Sequence, residues 1–123
     1  MKFLMGIFLI LNVLIACSSS AEFGTMSGQD VYELIASGAD VIVIDVRSEG
    51  EFLNGHVPGS VLLPVQEIES IAEEILLDKE AVILVICQSG NRSRTASQAL
   101  VDLGFTNVYD IGGIMSWPGE IVN

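Results

Sequence analysis

From residue 23 onward the chain alternates short apolar runs with amphipathic stretches. Val41-Ile42-Val43-Ile44 and Val82-Ile83-Leu84-Val85-Ile86 are unbroken and mostly β-branched. That is the pattern of strands buried on both faces of a parallel sheet. Ser60–Pro64 reads as a shorter strand stopped by proline, and Val108–Ile111 as the last strand. Phe23–Met26 fits a short edge strand or an extended lead-in. Between these runs the period becomes helical. Val31, Leu34 and Ile35 share one helix face, with Ser27 as N-cap and Gly38 as terminator. Ile68, Ile71, Ala72 and Ile75 mark a second helix, with Glu67, Glu69, Glu73 and Glu74 as its solvated side. Ala96, Ala99, Leu100 and Leu103 mark a third, closed by Gly104. Ser48 and Glu51 have capping-box spacing, which predicts a helical turn after the strand that ends at Asp45.

Strands alternating with helices predict an α/β fold, a parallel sheet with helices on both faces. Sites in such sheets lie beyond the carboxyl ends of strands. Asp45 and Cys87 fall at two such ends. Asp45, Arg47 and Glu51 are expected to form a local ion-pair cluster that shapes the scaffold. His56, the sole histidine, sits in Gly55-His56-Val57-Pro58-Gly59 and reads as a turn or packing residue. One histidine cannot build a typical zinc site, so neither metal nor cofactor is expected. Gly112-Gly113 is expected to turn the chain into a segment where Trp117 serves packing.

The candidate chemistry lies between the Val82–Ile86 run and the third helix, in Cys87-Gln88-Ser89-Gly90-Asn91-Arg92. A helix start carries unpaired N–H groups and a partial positive charge, and so favours anions. Gly90 lets successive N–H groups point into one concavity. Arg92 adds positive charge at the mouth. The helix terminus contributes about 0.3–2 kcal/mol and a hydrogen bond to a charged group about 1.5–3 kcal/mol. Together they predict a reactive thiolate at Cys87.

This turn resembles the active loop of the rhodanese family, the thiosulfate and related sulfurtransferases, in its Cys-x-x-Gly-x-Arg pattern. Two further motifs resemble that family: Asp45 through Ser60, containing Glu51-Phe52-Leu53-Asn54-Gly55-His56, and Gly112-Gly113-Ile114-Met115-Ser116-Trp117. The resemblance spans about Thr25 to Glu120, with Gln88 where many members carry arginine. It implies a rhodanese-like fold and a sulfurtransferase. Cys87 would take the outer sulfur of a donor such as thiosulfate as a persulfide, the N–H groups of Gln88, Ser89, Gly90, Asn91 and Arg92 would bind it, and cyanide or a thiol would accept it. Two rivals stand beside that reading. One is a sulfur-carrier or sensing module without turnover. The other, a cysteine phosphatase or arsenate reductase, needs Cys-x5-Arg, and that position holds Ser93.

Charge narrows the partners. The 123 residues carry a formal charge of −11 with five Lys and Arg. Nucleic acid is therefore not expected, because phosphate neutralisation needs many basic residues. A small anionic donor must be held by local features, and a monomer is expected. The N-terminus adds Met1-Lys2 and the apolar stretch Phe3–Ala16. As a helix that stretch spans about 21 Å, short of a hydrocarbon core of about 30 Å, which favours an export signal. Leu14-Ile15-Ala16-Cys17 resembles the lipobox of bacterial lipoproteins. The predicted organisation is a signal peptide at 1–16, a tether at 17–24 and a domain at 25–123. Lipidation at Cys17 would anchor the chain to a membrane of the cell envelope, on the periplasmic side if there are two, and leave Cys87 as the one free thiol.

Overall fold

The computed structural model describes residues 22–123. The expected signal peptide, Cys17 and most of the expected tether lie outside the described residues. Five strands form one wholly parallel sheet in the order β1-β5-β4-β2-β3. They are β1 (Gly24–Thr25), β2 (Ile42–Asp45), β3 (Val61–Leu62), β4 (Ile83–Cys87) and β5 (Val108–Gly113). Four α-helices connect them: α1 (Gly28–Ala36), α2 (Glu49–Leu53), α3 (Ile68–Ile75) and α4 (Asn91–Asp102).

β4 occupies the centre, and all five of its residues are buried. Side chains alternate along a strand, so Ile83, Val85 and Cys87 face α3 and α4, packing with Ile68, Ala72, Ala96 and Leu100. Leu84 and Ile86 face the other way, towards Val31 of α1, Val57 and Ile111. The expected parallel sheet with helices on both faces is the observed one. Because all strands run one way, Asp45, Cys87 and Gly113 end on the same edge.

The local caps follow sequence chemistry. Ser27 accepts the Asp30 amide at 3.1 Å, and Ser48 with Glu51 closes a reciprocal capping box on α2. Four expectations need correction. Ile35 and Ile75 lie on the predicted apolar faces but are 37 % and 43 % exposed, because α1 buries only Val31 and α3 only Ile68 and Ala72, leaving the edges of both apolar stripes in solvent. The run before α3 opens with a turn of 3-10 helix at Val65–Glu67. Glu51 does not join Asp45 and Arg47; its carboxylate meets Arg92 instead. Gly112 and Gly113 belong to β5 rather than to a turn after it.

That last difference has a physical cause. The register slips between Val85 and Ile86, so that Val85 pairs with Asp110 and Ile86 with Gly112. The inserted residue is a β-bulge, and Gly112 takes φ +84° to form it. Gly113 then runs against the loop after β4. A Cβ there would fall on the Gln88 carbonyl oxygen and lie 2.9 Å from Ser89 Cα. The glycine pair is what lets β5 come up against the loop.

Candidate active site

β4 delivers Cys87 to the carboxyl edge of the sheet, and Gln88-Ser89-Gly90 carries the chain into α4. Gly90 is the N-cap residue, in the left-handed region at φ +109°. This conformation aims the Gly90 amide back at the cysteine, where it donates to Sγ at 2.9 Å. Cys87 is 1 % exposed. Of the amides at Gln88, Ser89, Gly90, Asn91 and Arg92, it is Gly90 that reaches Sγ itself; the others line the loop and the first turn of α4.

A second set of contacts escaped the sequence reading. Ser93, on the inward face of α4, is fully buried. Its Oγ lies 3.4 Å from Cys87 Sγ and donates to Asp110 Oδ1 at 2.6 Å. The Gly112 amide donates to the same carboxylate oxygen at 3.0 Å. The β5 bulge thus holds Asp110 against Ser93, and Ser93 against the sulfur. Two serines one turn apart, Ser93 and Ser97, on the buried face of the helix were the available signal; which partners Ser93 meets depends on β5.

The predicted near-site residues divide into two clasps. Arg47, 4 % exposed, places Nε 2.9 Å from Asp45 Oδ1 and Nη2 2.8 Å from Asp45 Oδ2. Its remaining N–H groups donate to Gly55 O at 2.8 Å and Gln88 Oε1 at 3.2 Å. Gln88 is therefore tied to the end of β2. The outer clasp is Arg92, whose Nη1 and Nη2 donate to Glu51 Oε1 and Oε2 at 2.7 and 2.9 Å. Asn91 is exposed at the first turn of α4.

The hydrogen bonds from Arg92, followed by the Ser48 amide, pull the Glu51 carboxyl down to about 2 from its ordinary 4.5; the same bond raises Arg92. A depressed carboxyl stabilises the fold above its unfolded value and loses that contribution as pH falls through the folded one. The Glu51–Arg92 clasp is expected to give its full stabilisation above about pH 4.5, to lose it as pH falls from there, and to open near pH 2 where the folded carboxyl titrates. A carbon-detected NMR titration of the Glu51 carboxyl checks this, and a midpoint near 4.5 would refute it. With the two side chains 33 % and 38 % exposed, the pair's share of total stability is small.

His56 stands apart from the sulfur chemistry. Its Nδ1 donates to Phe52 O at 2.8 Å, its ring stacks on Phe52 at 3.7 Å, and its backbone bridges to Val122. Trp117 packs edge-on against Tyr32 at 5.8 Å.

Comparison with known proteins gives the family and the fold. The family described as "Rhodanese-like domain" matches residues 27–120. The chain is 38 % identical over 106 residues to the thiosulfate sulfurtransferase GlpE of Pseudomonas entomophila, covering 81 % of this chain and 93 % of the relative. Among solved structures, a rhodanese-related protein from Thermoplasma volcanium superposes with TM-score 0.69 at 31 % identity, covering 81 % of this chain and 98 % of that one. The human single-domain sulfurtransferase TSTD1 superposes with TM-score 0.66 at 29 % identity, covering 76 % and 93 %.

Proposed function

This chain belongs to the rhodanese-like sulfurtransferase family, and from that premise we propose that it moves sulfane sulfur from a donor such as thiosulfate to cyanide or a thiol through a persulfide on Cys87. The observation that carries the reading is the Gly90 amide, 2.9 Å from a cysteine sulfur at the start of a 12-residue helix. The Cys87 thiolate attacks the donor's outer sulfur. The donor's S–S bond breaks and its electron pair leaves with sulfite. Sulfur thus resides on the enzyme between two half-reactions, which predicts ping-pong kinetics. The Gly90 N–H and the amides around it support the anionic persulfide by charge-assisted hydrogen bonds. Arg47, through Gln88, and Arg92, through Glu51, hold the loop from two sides and act as positioning residues.

The test is intact mass after exposure to thiosulfate. A gain of one sulfur atom on Cys87, discharged by cyanide as thiocyanate, is the expected result. No adduct, or an adduct that cyanide leaves in place, refutes the mechanism. We also propose that the chain is exported and held at a membrane by lipid on Cys17. The mass of the natural protein decides that separately: a chain without an acylated Cys17 at its N-terminus rejects it.

A further inference from the structure

The charges that converge on the loop do not favour a dianion. Arg92 gives both Nη groups to Glu51 at 2.7 and 2.9 Å, and Arg47 is buried against Asp45. The third carboxylate, Asp110, stands behind Ser93 and has no cationic partner among the described residues. The loop and the first turn of α4 are thus held by two guanidiniums and three carboxylates, in a chain whose formal charge is −11. Arg94 does not redress the balance: it faces outward into a groove shared with Glu69 and Asp102. Lys79 pairs with Glu73 and bonds Leu103 O beyond the other end of α4. The flanking segments add apolar surface. Leu53 ends the helix that carries Glu51 and is 61 % exposed; Met115, just after the Gly113 that abuts the loop, is 76 % exposed.

Building on the sulfur-transfer reading above, we infer that the preferred donors are organic sulfane-sulfur compounds carrying at most one negative charge, and that Glu51 is the residue that disfavours dianions such as thiosulfate. The loop amides satisfy one anionic sulfur. A second charge on the donor would need an uncompensated cation, and Glu51 neutralises the one at the mouth. The step balances for both donor types. The Cys87 sulfur forms a bond to the donor's outer sulfur, the donor's S–S bond breaks, and the pair leaves with sulfite from thiosulfate or with a sulfinate from an organic thiosulfonate.

The experiment measures the rate of sulfur loading on Cys87 of the full chain by intact mass. Thiosulfate is compared with benzenethiosulfonate, the same sulfonyl sulfane with one charge fewer. Each rate is divided by that donor's rate with free dithiothreitol, which removes intrinsic reactivity. The normalised preference for benzenethiosulfonate is expected to be at least about tenfold at about 0.01 M salt and to shrink at least about threefold towards 1 M, as screening hides the carboxylates. Glu51→Gln keeps the capping box, since Gln serves at that position, and is expected to move the ratio towards thiosulfate by about fivefold or more. Asp110→Asn should move it the same way. A normalised rate for thiosulfate equal to or above that for benzenethiosulfonate, a thiosulfate rate that falls with salt, or an unchanged ratio in Glu51→Gln overturns the inference. Failure of both donors to load Cys87 would instead overturn the sulfur-transfer reading beneath it.

Discussion

Cys87→Ser is expected to reduce sulfur transfer from thiosulfate to cyanide by at least about a thousandfold, a loss of roughly 4 kcal/mol of transition-state stabilisation. Serine fits the same volume and can accept the Gly90 amide and meet Ser93 as the cysteine does. What it lacks is a polarisable, readily ionised nucleophile able to store sulfur as a persulfide. The fold should survive, so far-ultraviolet circular dichroism and the melting temperature should stay near those of the parent while the rate collapses. Retention of more than about a tenth of the parental rate would show that the transferred sulfur does not pass through residue 87.

Asp45→Ala should produce the largest loss of stability. Asp45 is fully buried and Arg47 is 4 % exposed, and the guanidinium donates two of its hydrogen bonds to that one carboxylate. Removing the carboxylate leaves a buried charge with the Gly55 and Gln88 oxygens as its remaining partners. Breaking one side of such a pair costs about 3–5 kcal/mol, against a typical total of about 5–15 kcal/mol for a domain. Urea denaturation should show a midpoint lowered by about a third or more, or no folded baseline. The contrast with Glu51→Ala is the sharper check. That pair is one-third exposed, so its loss should cost no more than about 1 kcal/mol. Equal costs for the two substitutions would mean that the inner clasp is not the structural one.

Much of this molecule was open to reading from local pattern. β4 was legible because a strand covered on both faces has no polar positions to obscure it, as Ile83–Cys87 shows with every residue buried. The Ser27 cap and the Ser48–Glu51 box were legible because both partners lie within one helical turn. The cysteine loop could be located because its strand, its glycine and its helix are consecutive. By contrast, Arg92 and Glu51 are 41 residues apart, as are Arg47 and Gln88. Nothing in either stretch states the pairing, and nearness in sequence pointed Glu51 towards Arg47 instead.

The order of apolar and polar residues therefore determined the parallel α/β architecture, the placement of Cys87 at a strand end, and the caps. These depend on contacts within a few residues and on a period of two or 3.6. Only the folded chain decided which charges meet around the sulfur, that Asp110 stands behind Ser93, and why two successive glycines are needed in β5. Those outcomes depend on the order of the strands and on one extra residue, Ile111, inserted in β5 opposite Val85 and Ile86. Register between distant segments is fixed by packing in three dimensions, and periodicity along the chain carries no record of it.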